Sequence, residues 1–153
     1  LIPFTLPATK AHAYALSRTM RAEDREEVWA RSRQSPLEAL MDSIATSEMA
    51  FTLKFEDEIA AIWGVRGRGV LDPFACIWGL TGQVVDRFPI AFYRESKKAV
   101  ALARKQYPFL ANTVDARYER SLRWARRLGF FVLKPEPAGV HGELFHPIVL
   151  GAT

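Results

Sequence analysis

A change of hydrophobic period within Leu110 to Leu133 constrains this chain more than any other feature. Leu110, Asn112 and Val114 alternate with Ala111, Thr113 and Asp115, the period of a half-buried strand. From Ala116 the period becomes helical, with Leu122, Ala125 and Leu128 at i, i+3 and i+6 on one face. Gly129 can take the left-handed conformation that ends a helix, and Phe130, Phe131, Val132 and Leu133 then read as a buried strand. A strand–helix–strand crossover requires parallel neighbours, so part of the chain must build a parallel strand pair.

The same stretch resembles the C-terminal half of the GNAT N-acetyltransferase fold, in which a strand with a central Val leads to a helix of pattern N-x-x-A-x-x-x-Y-x-x-x-G-F. Anchored on Gly129 and Phe130, Tyr118 falls at that family's Asn, Ser121 at its Ala and Ala125 at its usual Tyr. The chain is closer still to GNAT-like proteins of podovirus-type tailed bacteriophages, the internal virion protein A type. Trp78 to Gly82 matches their W-x-L-x-G strand end, Tyr107 to Arg117 their Y-P-x-L-x-N-x-V-D-A-R segment, and Trp124 to Phe130 their W-x-x-x-L-G-F helix end. The resemblance spans Ala8 to about Val149. It implies acetyl-CoA or another acyl-CoA as cofactor, a host bacterial enzyme or a virion protein as partner, and residence in the host cytoplasm or the virion.

The remaining segments fit an α+β fold with a mixed sheet flanked by helices and an extra helical N-terminal segment. Leu1 to Thr5 has no periodic pattern, and 1–7 reads as a disordered lead or a cloning remnant, leaving 8–153 as one domain. Ala11, Ala15 and Leu16, and then Val28, Trp29 and Ala30, recur on charged helical backgrounds. Ser35-Pro36-Leu37-Glu38 is a capping box with Pro at the first helical position. Three helices before any strand depart from a simple GNAT protein, which opens with a strand. Ala50 to Phe55 and Ile59 to Val65 form a hairpin, Phe74 to Leu80 a central strand, Pro89 to about Gln106 a helix, and Glu143 to Val149 a last strand.

Nearly half of the 153 residues are apolar, the formal charge is +4, and Cys76 is the one cysteine, so an internal disulfide is excluded. No apolar run approaches the ~20 residues of a membrane span. The positive charge suits an anionic ligand, nucleic acid or an acidic protein surface. Nucleic-acid binding is not expected, because no recognised nucleic-acid fold is present. His12, His141 and His146 lack metal-ligand spacing, so no metal is expected.

In the GNAT resemblance, the loop after the central strand presents backbone N–H groups to the coenzyme A pyrophosphate. That implies cofactor binding by Trp78, Gly79, Leu80, Thr81, Gly82 and Gln83, assisted by Arg87, although the family's glycine spacing is absent and Asp86 would repel phosphate. Acyl transfer to an amine needs a base and a proton donor for the leaving thiolate. Ala125 cannot be that donor. Tyr118, Ser121 and Asp115 are the candidates in the strand–helix unit, and Glu58 and Asp72 are further candidate bases. The chain therefore reads either as an acyltransferase or as a GNAT-shaped phage protein that acts by binding. The acyltransferase reading requires strands that part beside Gly79 to leave a slot for the cofactor; the binding role does not.

Overall fold

A computed structural model describes residues 1–151. An 8-stranded sheet runs in the order β1-β2-β3-β4-β5-β8-β6, with β7 paired to β8. β1 (Pro3–Pro7) is antiparallel to β2 (Met49–Phe55), which forms a hairpin with β3 (Glu58–Gly67). The hairpin turns through Glu56 at φ 58°, a left-handed position in a two-residue connection. β4 (Phe74–Thr81) continues the antiparallel run, and its pairing with β5 (Phe109–Asp115) is parallel. β8 (Leu144–Leu150) lies antiparallel to β5 and carries the short strands β6 (Phe131–Val132) and β7 (Glu136–Pro137).

The residues expected to form a structureless lead are therefore an edge strand. Prolines at Pro3 and Pro7 hid it: they break the strand pattern in sequence, yet an edge tolerates missing N–H donors and is protected from further pairing by them. With β1 in place, the chain opens on a strand before its three helices. Phe130 to Leu133, expected as a buried strand, is also different. Only two residues form a ladder, and Phe131 is 66% exposed, because β6 ends the sheet and has one covered face. The helix expected from Ala116 starts at Glu119, after a turn in which Tyr118 N–H bonds Asp115 O.

Helices α1 (Lys10–Thr19), α2 (Ala22–Ser32) and α3 (Pro36–Thr46) follow β1. The capping box is formed at Ser35 and Glu38. α1 and α3 pack Ala13, Leu16, Met20 and Leu40 on Ile62 and Trp78, on one sheet face. On the other face α4 (Pro89–Gln106) and α5 (Glu119–Arg127) pack Val100, Ala103 and Ala125 on Ala75, Leu110, Ile148 and Leu150. The alternation along β4 divides Ala75 and Ile77 from Trp78 and Leu80 between these two cores. Among the described residues no helix is long and apolar enough to cross a membrane.

One glycine is demanded by the first core. A Cβ on Gly64 would stand 2.6 Å from Met49 O and 2.8 Å from the Trp78 ring, whose Nε1 is fixed by Ser47 Oγ at 2.7 Å. Gly64→Ala must therefore move backbone or an anchored indole, at a cost of about 1–3 kcal/mol. Urea denaturation should show a lower midpoint with an unchanged slope.

Candidate functional site

β4 and β5 part. Their register covers only Phe74↔Phe109, Ala75↔Leu110 and Cys76↔Ala111, while β4 runs on to Thr81 and β5 to Asp115. Asn112 stands where they separate, donating Nδ2–H to Ile77 O at 2.6 Å. Beyond it, the backbone groups along both strands face a gap and need partners.

α2 supplies three of them. Asp24 Oδ2 accepts from Thr81 N–H at 2.6 Å and from Thr81 Oγ1 at 2.5 Å. Glu27 Oε2 accepts from Asp115 N–H at 3.3 Å, and Arg31 Nη2 donates to Thr113 O at 2.7 Å and to Glu27 Oε1 at 3.0 Å. These side chains recur at i, i+3 and i+7 on one helical face, so a single helix engages both parted strands. Burial pushes both the Asp24 and Glu27 carboxyls up. The Thr81 hydrogen bonds oppose this at Asp24, and Arg31 opposes it at Glu27.

Gly79 is left over. Gly82 N–H bonds Ala60 O at 2.9 Å across the Ala61↔Thr81 register, which marks that pair as the type without mutual hydrogen bonds. Trp63↔Gly79 lies two residues along and is of the same type. The N–H and C=O of Gly79 thus point away from β3 into the gap, beyond the last β5 partner, and no described residue bonds them. Gly79 is exposed, and a Cβ built on it would meet only Trp63 Cβ, at 3.7 Å. A free donor and acceptor at a solvent-open strand edge suit a thin, amide-bearing chain, which can pair with them as a short strand would.

The other residues expected to bind cofactor have different roles. Trp78 and Leu80 belong to the core under α1 and α3. Thr81 is engaged by Asp24. Gly82 is a packing glycine, since a Cβ there would lie 2.6 Å from Ile59 O. Gln83 is exposed, and Arg87 turns to the hairpin, pairing with Glu58 at 2.9 Å. Within the turn Val85 N–H bonds Gly82 O and Phe88 N–H bonds Val85 O, each at 3.2 Å, while the first turn of α4 has no side-chain cap. The open edge at Gly79 suits an amide chain, and two amides of the following turn are engaged within it.

The strand–helix candidates are occupied as well. Asp115 is 1% exposed and accepts from Arg117 N–H, Nε and Nη2, an arrangement that pushes the guanidinium up. The Tyr118 hydroxyl bonds Glu26, and burial together with that carboxylate pushes the phenol up. Ser121 is half-buried in the first turn of α5. Of the further candidate bases, Glu58 pairs with Arg87 and Asp72 with Arg68 in the exposed β3–β4 loop. Asp24, Glu27 and Arg31 were missed in the sequence, where their only signal is a polar stripe beside Val28.

Three contacts tie α4 and the turn before it to α5 beside the gap: the Phe92–Trp124 stack with centroids 5.5 Å apart, Tyr93 Oη donating to Arg127 O at 3.0 Å, and Arg120 Nη2 on Asp86 at 2.8 Å. The outer side of α2 has a separate shallow cleft of about 410 Å³ between Trp29, Arg33, Arg117 and Glu143. There Arg33 Nη2 donates to Glu143 at 2.8 Å and holds its carboxyl down to about 2. Because the folded value lies below the ordinary 4.5, this stabilisation is complete above that pH and is lost as pH falls through about 2. Glu143→Gln should therefore melt below wild type at neutral pH, with the difference closing in strong acid. Thermal melts across that range check this.

Solved structures share this architecture over nearly the whole chain. The yncA protein of Salmonella typhimurium, solved with its cofactor acetyl-CoA, is 10% identical, with a TM-score of 0.72 over 100% of this chain and 95% of that one. An N-acetyltransferase from Staphylococcus aureus is 11% identical with a TM-score of 0.69, covering 97% of this chain and 96% of its own. A GNAT-family protein of Chromobacterium violaceum is 17% identical with a TM-score of 0.64, covering 97% and 86%. The fold is that of the GNAT acetyltransferases. At these identities the likeness is one of fold. No protein-family model matches the sequence, and no curated protein is similar to it in sequence.

Proposed function

We propose that this protein binds an acyl-CoA in the gap between β4 and β5 and transfers its acyl group to an amine. The observation that carries the reading is the free N–H and C=O of Gly79 on an open strand edge. Coenzyme A has a narrow arm with two amide groups, and such an arm can occupy that edge. When bound, acyl-CoA supplies a thioester carbonyl for the acceptor amine to attack. Glu27 lies on the gap, has a carboxyl raised by burial, and would take the proton lost by the acceptor ammonium. Water would protonate the leaving thiolate, because Ala125 is buried and has no proton to give.

The resemblance of Trp78–Gly82, Tyr107–Arg117 and Trp124–Phe130 to phage internal virion protein A supports a phage origin. The proposed setting is the host bacterial cytoplasm or the virion, with a small-molecule amine or a host protein as acceptor. A second reading is favoured by Ala125 and by the engaged Tyr118 hydroxyl: a GNAT-fold phage protein without transferase chemistry that binds a host enzyme or a virion component.

Melting the protein with and without acetyl-CoA tests the first reading. At ~100-fold excess over Kd a shift of several degrees is expected. No shift with any acyl-CoA contradicts it. Labelled acetyl transfer to amines and host lysate then separates the two readings, and Glu27→Gln should lose the ascending limb of the pH–rate profile.

A further inference from the structure

Asp86 is gripped from two sides. Arg120 Nη2, in the first turn of α5, donates to Asp86 Oδ1 at 2.8 Å, and Arg21 Nε, from the link between α1 and α2, stands 3.6 Å from the same oxygen. The Arg21 side chain is only 12% exposed. Glu23 orients it at 2.9 Å and Thr81 Oγ1 at 3.4 Å, while its backbone N–H holds Thr81 O at 3.0 Å. Three elements distant in sequence thus bring two guanidiniums and two carboxylates, Asp86 and Glu23, to the end of β4. Thr81 lies two residues past Gly79, roughly 7 Å along the strand.

A carrier whose amide arm sits on Gly79 and leaves the edge before Thr81, whose N–H and C=O are already bonded, meets these arginines next. Coenzyme A carries its phosphates beyond that arm. Guanidinium forks match phosphate oxygens and pair with them more strongly than with an exposed carboxylate. Displacing Asp86 is also cheap: its pair with Arg120 is about half exposed, at 47% and 54%, and such pairs contribute little. We propose that Arg21 and Arg120 bind the phosphate of the acyl carrier, and that Asp86 is an internal competitor holding them together until that phosphate displaces it. This rests on the acyl-CoA reading and adds to it a phosphate site made of side chains.

Calorimetric titration of the full chain with coenzyme A and with phosphate-free pantetheine tests it. Asp86→Asn should bind coenzyme A about tenfold more tightly than wild type and pantetheine equally well. Arg120→Ala should bind coenzyme A more weakly than wild type, again with pantetheine unchanged. The proposal is overturned if the two ligands change in parallel, or if neither variant alters coenzyme A binding. If neither ligand binds any of the three proteins, the acyl-CoA reading fails, and inorganic pyrophosphate then tests the arginines alone. Tighter pyrophosphate binding by Asp86→Asn than by wild type sustains the anion site; equal binding removes it.

Discussion

Gly79→Pro should abolish the acetyl-CoA thermal shift while leaving the protein folded. The N–H that proline removes is not part of the β3 ladder; it faces the gap, so no hydrogen bond of the folded chain is lost. Proline is tolerated in a strand where its N–H side is open, and it reduces the freedom of the unfolded chain relative to glycine. Gly79→Ala is the control. It keeps the N–H and adds a Cβ with ordinary contact to Trp63 at 3.7 Å, so it should retain binding. The loss of a hydrogen bond in proline, about 1 kcal/mol, is joined by the bulk of a ring on the open edge. If both variants bind acetyl-CoA like wild type, Gly79 is not the contact.

The largest loss of stability among surface-proximal substitutions is expected for Asp24→Ala. Asp24 is the only described partner of the Thr81 N–H and joins α2 to the free end of β4. Its removal leaves a backbone amide unpaired, weakens the bonding of the Thr81 hydroxyl, and deletes an acid from the first turn of α2. At roughly 1–3 kcal/mol for a stranded donor, plus the loss at the helix terminus, the total is about 3 kcal/mol. That corresponds to a fall in Tm of roughly 6–12 °C for a domain of this size. Asp24→Asn should cost less, because burial already disfavours the charge and the amide oxygen can still accept from Thr81. Equal melting of the alanine variant and wild type would show that α2 does not anchor the parted strands.

The legible parts of the fold were those fixed by neighbouring residues. α4 runs from Pro89 to Gln106 as read, because Pro suits the first helical position and Tyr107-Pro108 forces an exit. The Ser35 capping box and the Glu56–Asp57 hairpin are likewise local. β1 was illegible because its partner lies some fifty residues away and its prolines resemble those of a loop. β6 was overread because a run of apolar residues does not reveal that the sheet ends beside it.

The site divides in the same way. Gly79 could be picked out as a glycine near the end of a central strand. The direction of its N–H depends on β3 and on where β5 leaves off, which are long-range facts. Asp24, Glu27 and Arg31 sit in a helix that also carries Glu23, Arg25 and Glu26, so charge alone could not single them out. Packing of α2 across the gap selects them. Arg87, attractive in sequence as a phosphate ligand, is drawn off by Glu58.

The most direct test follows the Gly79 backbone amide by NMR as acetyl-CoA is added to the isotope-labelled chain. A saturable shift of the Gly79 N–H is expected, accompanied by the Asn112 side-chain amide at the point of separation. A cofactor that binds while Gly79 stays unmoved, or one that moves no amide along β4 at millimolar concentration, would contradict it.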